Sequence, residues 1–177
     1  MRIVGGKYKG RVFNPDKRFT ARPTTDIAKE ALFNILANRY NFEEMKILDL
    51  FSGTGSIGYE FLSREASEVT LVDKDPHHIR FIRKTIDQLK ADNARVVQDD
   101  IFRFLKNCPF SFDLVFADPP FDFPFLKEVP PAVFESGILT DNGTFIMEHF
   151  KGIDLSKMPH FSELRKYGKV NFSFFHK

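Results

Sequence analysis

The chain alternates between short, continuous apolar runs and longer segments whose apolar residues recur every three or four positions. Five runs stand out: Ile47-Leu48-Asp49-Leu50-Phe51, Val69-Thr70-Leu71-Val72, Arg95-Val96-Val97, Leu114-Val115-Phe116-Ala117 and Thr144-Phe145-Ile146-Met147. Unbroken runs of branched and aromatic residues suit strands buried on both faces. The intervals between them are long enough for the crossovers that parallel strands require. Between the second and third runs, Asp75-Pro76 reads as an N-cap followed by proline at the first helical position. Ile79, Ile82, Ile86 and Leu89 then share one helical face. Shorter helices are predicted over 56–64 and 101–106. Upstream, Pro23-Thr24-Thr25-Asp26 opens an amphipathic helix with Ile27, Ala28, Ala31, Leu32, Ile35 and Leu36 on one stripe. Strand and helix in alternation predict an α/β sheet with right-handed crossovers. The ends differ. Residues 1–22, with glycines at 5, 6 and 10, read as a β-hairpin or loop. The stretch from Phe161, with a turn at Tyr167-Gly168, reads as a second hairpin that would add an antiparallel strand.

At 177 residues, 42% hydrophobic and 28% charged, the chain can build one proper core, which excludes disorder, collagen and coiled coil as descriptions of the whole. No apolar run approaches the roughly 18 residues of a membrane span, and the first residues lack the apolar stretch of a secretion signal. The single cysteine, Cys108, can form neither an internal disulfide nor a thiolate zinc site, so a reducing, cytoplasmic location is expected. The 22 phenylalanines are read mostly as core. Charge changes the picture more. Residues 1–39 carry nine basic side chains against three acidic ones, a net of +6. The remainder carries seventeen against twenty-one, a net of −4. A basic front on a mildly acidic body suits an arm that binds a polyanion, although a merely solvated terminus would look the same.

Ligands of an open α/β sheet lie beyond the carboxyl ends of its strands. The first four predicted core strands each end at or near an acid: Asp49, Asp73, Asp100 and Asp118. Asp75 is read only as a helix cap. The loop Asp49-Leu50-Phe51-Ser52-Gly53-Thr54-Gly55-Ser56-Ile57-Gly58 formally matches G-x-G-x-x-G, with Asp73 placed to take ribose hydroxyls. A dinucleotide would bring an anionic pyrophosphate against Asp49, which repels it. The same carboxylate attracts a ligand bearing an ammonium and a sulfonium, and S-adenosylmethionine (SAM) carries both.

The most specific feature is Asp118-Pro119-Pro120-Phe121 at the end of the fourth run. The prolines stiffen the exit and remove two backbone donors, while the carbonyls remain. Asp118 and the Pro119 carbonyl offer two acceptors to the two N–H donors of an exocyclic amine, and Phe121 offers a stacking face for its base. Two acceptors on those hydrogens favour a pyramidal nitrogen with an aimed lone pair. Methyl transfer then becomes a direct displacement governed by positioning and electrostatics. No His/Cys/Asp spacing resembles a metal site. His77 and His78 are read as solvated on a helix surface, and His149 lies after Glu148 near the cleft.

These residues resemble the RsmD family of bacterial 16S rRNA guanine-N2 methyltransferases. The resemblance rests on Arg2-Ile3-Val4-Gly5-Gly6-Lys7-Tyr8-Lys9-Gly10-Arg11, Arg22-Pro23-Thr24-Thr25-Asp26 through Ile35-Leu36, Leu48-Asp49-Leu50-Phe51-Ser52-Gly53-Thr54-Gly55, and Asp118-Pro119-Pro120-Phe121. It runs nearly end to end. It implies a Rossmann-like, SAM-dependent methyltransferase fold: a seven-stranded, mostly parallel sheet ordered 3-2-1-4-5-7-6, strand seven antiparallel. A basic hairpin-and-helix extension over 1–40 would precede the methyltransferase domain over 41–177. By matching positions, Asp49, Phe51, Ser52, Gly53, Thr54 and Gly55 form the cofactor loop. Asp73 takes the ribose with Lys74 beside it, Asp100 and Ile101 flank the adenine, and Thr24 and Thr25 close over the cofactor. Asp118, Pro119, Pro120 and Phe121 are the catalytic tetrad. Arg2, Lys7, Lys9, Arg11 and Arg22 hold RNA phosphates. The implied partner is 16S rRNA within an assembling small ribosomal subunit; from the residues themselves, a cytoplasmic monomer without a metal is expected. Two departures stand out. The family usually ends its tetrad in tyrosine, where this chain has Phe121, and the segment 150–160 is short enough for its helix to be stunted or absent. Three other readings stay open on sequence: adenine-N6 methylation of DNA or RNA, an NAD-dependent oxidoreductase, and an RNA-binding protein without turnover.

Overall fold

A computed structural model describes residues 1–15 and 25–177. The elements, in chain order, are α1 (Asp26–Arg39), β1 (Lys46–Leu50), α2 (Ser56–Ser63), β2 (Glu68–Asp73), α3 (Pro76–Leu89), β3 (Ala94–Gln98) and α4 (Ile101–Asn107). They continue with β4 (Phe112–Ala117), α5 (Val129–Glu135), β5 (Leu139–Phe150), β6 (Phe161–Tyr167) and β7 (Val170–His176). One sheet takes all seven strands in the order β3-β2-β1-β4-β5-β7-β6. β1 to β5 pair in parallel, and β7 runs antiparallel to both β5 and β6. This is the order the sequence resemblance implies. The strand order reverses direction between β1 and β4, which opens a crevice at their carboxyl ends.

Alternation along the strands sorts side chains onto two faces. Ile47, Leu71, Phe116, Ile146 and Phe172 pack with Leu32, Phe33, Phe61 and Ile82 of the helices on one face. Leu48, Leu50, Val115, Phe145 and Phe175 pack with Ile101, Phe104, Val129 and Val133 on the other. Asp49 lies between Leu48 and Leu50 and so emerges on the first face. The α1 stripe is more than a surface appendage: Ala28, Leu32, Phe33 and Leu36 are buried in the same cluster as β1 and β2.

Several elements differ from their reading in sequence. β3 is an edge strand whose residues are half-buried or exposed rather than buried on both faces, because among the described residues it pairs with β2 alone. β5 extends from Leu139 to Phe150, well beyond its apolar centre, because β4 and β7 pair with it on either side. The sequence reading has no counterpart for α5, whose Pro130 and Pro131 sit in the first turn, where missing N–H groups cost nothing. Residues 151–160 form turns and irregular backbone, with no helix among them. Residues 1–15 make a narrow hairpin closed by an Arg2–Val12 bridge. It is clamped to the end of α2: Lys7 N–H donates to the Ser63 carbonyl, Tyr8 N–H to Ser63 Oγ, and Ser63 Oγ to the Gly5 carbonyl. A Cβ at Gly6 would lie 1.9 Å from the Ser63 carbonyl oxygen, and φ there is +72°, so only glycine fits. Among the described residues no helix is long and apolar enough to cross a membrane.

Candidate active site

A cleft of about 1000 Å³ opens at the carboxyl ends of the parallel strands. Its wall includes Thr25 at the start of α1, the loop after β1, Asp73 and Lys74 after β2, Asp100 and Ile101 after β3, and Asp118 to Phe121 after β4. The crossovers therefore bring together the acids that the sequence places at successive strand ends. Arg22, Pro23 and Thr24 lie outside the described residues.

The glycine loop is built by backbone geometry. Gly53 and Gly55 take positive φ (+53° and +78°), and Gly55 caps α2 from the left-handed region. A Cβ at Gly58 would lie 2.4 Å from Leu71 Cδ2 and 3.1 Å from Asp49 Oδ2. That absence of a side chain lets the Gly58 N–H reach Asp49 Oδ2 at 3.1 Å. Ser52 Oγ donates to the Asp49 carbonyl at 2.7 Å. Asp49 is 2% exposed, and its carboxyl is pushed up to about 7, first by burial and further by the charge of Asp73, against the pull of the Gly58 N–H.

Asp73 is held rigidly. Its Oδ2 accepts the Gly53 N–H and its Oδ1 the Asp75 N–H, both at 2.8 Å. His78 Nδ1 sits 3.1 Å from Oδ2, and that contact raises the imidazole above its ordinary pKa. Sequence reasoning set His78 aside as solvated; it belongs to the cleft wall, because the first turn of α3 folds back over the end of β2. His77 is exposed, as read. Asp75 caps α3 through the His77 N–H. Asp100 also caps a helix, accepting the Phe102 and Arg103 N–H groups with Oδ1 while it lines the cleft.

At the tetrad, Pro119 is buried and Phe121 is 76% exposed, its ring centroid 4.5 Å from that of Phe150. Among the described residues no protein donor binds the Asp118 carboxylate. Burial first, then the negative charges of Glu148 and Asp49, hold that carboxyl well above the usual range. The tetrad thus presents an aromatic face to solvent and a carboxyl to the cleft. His149 turns away from Asp118: Nε2 lies 2.8 Å from Ser173 Oγ and Nδ1 3.1 Å from the Phe150 carbonyl. Sequence reasoning missed the wall contributed by Tyr167, Gly168 and Lys169 at the β6–β7 tip, which lies far along the chain. It also missed Phe123, whose ring centroid lies 5.0 Å from Phe51 and 6.3 Å from Phe102. Among the described residues no group of three or more His, Cys, Asp or Glu could hold a metal ion.

The basic residues assigned to RNA lie mainly on the exposed hairpin. Arg2 pairs with Asp26 at 3.2 Å, while Lys7 and Arg11 lie over the Tyr8 ring at 5.2 and 5.4 Å. Arg11 also donates to the Gln88 carbonyl at 3.2 Å, and Lys9 is exposed.

Strand order, the glycine loop at the switch point and the acids around it define the Rossmann-like methyltransferase class. Similarity to known proteins narrows this. The family model described as "Conserved hypothetical protein 95" matches residues 1–176. Ribosomal RNA small subunit methyltransferase D of Escherichia coli K12 is 36% identical over 148 residues, covering 84% of this chain and 74% of its own length. A solved structure described as "Putative methyltransferase yhhF from Escherichia coli" has a TM-score of 0.86 at 32% identity, covering 100% of this chain and 97% of that one. SMU.776, solved complexed with SAH, shares the fold with a TM-score of 0.70 at 17% identity, over 84% of this chain and 49% of its own. The chain belongs to the RsmD family.

Proposed function

We propose that the chain transfers the methyl group of SAM to the exocyclic N2 of a guanine in 16S rRNA of the small ribosomal subunit. The observation that carries this reading is the tetrad: a carboxyl facing the cleft beside a proline carbonyl, with an exposed ring next to it. SAM occupies the acid-lined half of the cleft. Asp49 faces the methionine moiety together with Phe51, Ser52, Gly53, Thr54 and Gly55. Asp73 and Lys74 meet the ribose, and Asp100 and Ile101 the adenine, with Thr24 and Thr25 closing the mouth. The target base stacks on Phe121, and Asp118 and the Pro119 carbonyl accept its amine hydrogens. The lone pair of the amine attacks the methyl carbon as the C–S bond breaks, the electron pair passes to sulfur, and the amine proton leaves toward Asp118. Residues 1–40 act as an RNA-binding extension to the domain over 41–177, with Arg2, Lys7, Lys9, Arg11 and Arg22 on phosphates. The enzyme works as a cytoplasmic monomer on an assembling subunit.

Tritiated-methyl transfer tests the substrate class. Label is expected on small subunits from cells lacking this activity and not on DNA. Label on DNA alone would favour adenine-N6 methylation of DNA instead.

Two further outcomes follow from the site. Without SAM, Asp49 holds its proton up to about pH 7, well above the range of an unfolded aspartate. The folded state therefore holds an extra proton between about pH 4 and 7, and ligand-free stability falls as pH rises through that window, then levels off. SAM affinity runs the other way, rising through about pH 7 as the carboxylate ionises against the cation. Calorimetric titration from pH 5.5 to 8.5 checks this; affinity that is flat or falls with pH contradicts it. At the tetrad, Phe121→Ala removes a stacking face worth about 1–3 kcal/mol and is expected to raise KM for RNA about tenfold or more. Phe121→Tyr keeps the ring and should stay near the parent value in steady-state kinetics.

A further inference from the structure

The tetrad alone recognises an amine and leaves open which base carries it. A second buried carboxyl lies beside it. In the β4–β5 register Phe116 pairs with Ile146 and Ala117 with Met147. One residue further along, Asp118 and Glu148 come side by side, with neighbouring strands about 4.8 Å apart. Side chains alternate, so both return to the sheet face that carries Phe116, Ile146 and Asp49. Glu148 is only 5% exposed and lines the same cleft as Asp118, Pro119 and Phe121. No step described so far uses it.

Resting on the reading of the chain as an amine methyltransferase, we propose that Glu148 selects guanine by accepting the ring N1–H next to the amine held at Asp118 and Pro119. On this proposal the Pro119 carbonyl, Asp118 and Glu148, which line one cleft, serve as three acceptors for one edge of the base. Guanine presents three donors in a row, two on N2 and one on N1. Adenine presents its amine beside an N1 lone pair, and an ionised carboxylate has only acceptors to set against it. The mismatch forfeits a charged hydrogen bond, which corresponds to about a ten- to hundredfold loss. Glu148 is thus a specificity residue distinct from the amine-binding pair.

The test uses 2-aminopurine, which keeps the exocyclic amine of guanine but has a lone pair at N1. After the methylated position has been mapped by nucleoside mass analysis, small-subunit RNA is prepared by splinted ligation with guanine or 2-aminopurine at that position. Single-turnover methylation is then measured for the parent enzyme and for Glu148→Gln, with SAM binding and melting recorded for both proteins. The parent enzyme is expected to prefer guanine by about ten- to a hundredfold. In Glu148→Gln, whose amide can turn its N–H toward N1, that preference should collapse to within a few fold while SAM binding persists. A parent enzyme indifferent to the N1 proton overturns the proposal, whether or not the variant folds. A variant that keeps the full preference overturns it equally. If the mapping step finds N6-methyladenosine, the reading of guanine as substrate fails before Glu148 is examined, so the two failures are told apart.

Discussion

Asp118→Ala is expected to slow methyl transfer about 10²–10³-fold, the loss typical of removing one donor or acceptor that acts on the reacting centre. The nitrogen of an exocyclic amine is a poor nucleophile because its lone pair is shared with the ring. In the proposed mechanism Asp118 and the Pro119 carbonyl counter this by taking its hydrogens, with Pro119 and Pro120 stiffening the exit between the two acceptors. Burial first, then the charges of Glu148 and Asp49, raise the Asp118 carboxyl well above the usual range. A sulfonium and an ammonium brought in beside these acids favour their ionised forms. The donor therefore prepares the acceptor for the amine, and loss of Asp118 should appear in the rate of the bound complex. Single-turnover rates at saturating SAM and RNA check this. A variant as fast as its parent removes Asp118 from the mechanism.

The second large effect concerns stability. Lys29→Ala is expected to cost about 3 kcal/mol in denaturant unfolding, the lower end of the range for breaking a buried ion pair. Lys29 is 1% exposed, and its ammonium donates to the Arg2 carbonyl at 2.5 Å and to Ser56 Oγ at 3.1 Å. It also pairs with Glu60, itself fully buried, at 3.1 Å. Glu60 further accepts the Val4 N–H at 2.8 Å and pairs with Arg64 at 2.5 Å. One lysine thus ties α1 to the N-terminal hairpin and to the first residue of α2, next to the cofactor loop. Arg64 keeps its hold on Glu60 in the variant, which limits the loss. Lys29→Met should lose a similar amount, since the missing charge rather than missing volume dominates. A change within about 0.5 kcal/mol, the range of an ordinary surface substitution, would contradict this account.

Lys29 also shows what stays hidden in a sequence. Among nine basic residues in the first 39 it is simply one more charge of the basic front. Its burial follows from where α1 docks, which periodicity alone does not give. Glu148 is hidden in the same way: its importance depends on the β4–β5 register, and parallel register is set by tertiary packing. His78 was read by its helix, but the end of β2 decides its environment. β3 resembles the central strands in composition and differs only by lying at an edge. By contrast, the glycine loop and Asp118-Pro119-Pro120-Phe121 announce themselves, because positive φ and donor-free backbone demand particular residue types at fixed spacing. The four acids converge because crossover topology brings successive strand ends to one edge, so alternating strands and helices were enough to place them together. The hairpin from Phe161 was legible from its turn at Tyr167-Gly168, but its tip joins the cleft wall only through the pairing of β7 with β5.

The central claim is that an acid-lined cleft holds a cationic methyl donor while a rigid proline exit grips a purine amine. The most direct measurement is the mass and position of the methylated nucleoside after the purified protein acts with SAM on unmethylated small-subunit particles. The account predicts N2-methylguanosine at a single position. Methyl groups on a ribose hydroxyl or on base carbon would contradict it, because neither offers the paired N–H donors that Asp118 and the Pro119 carbonyl are placed to receive.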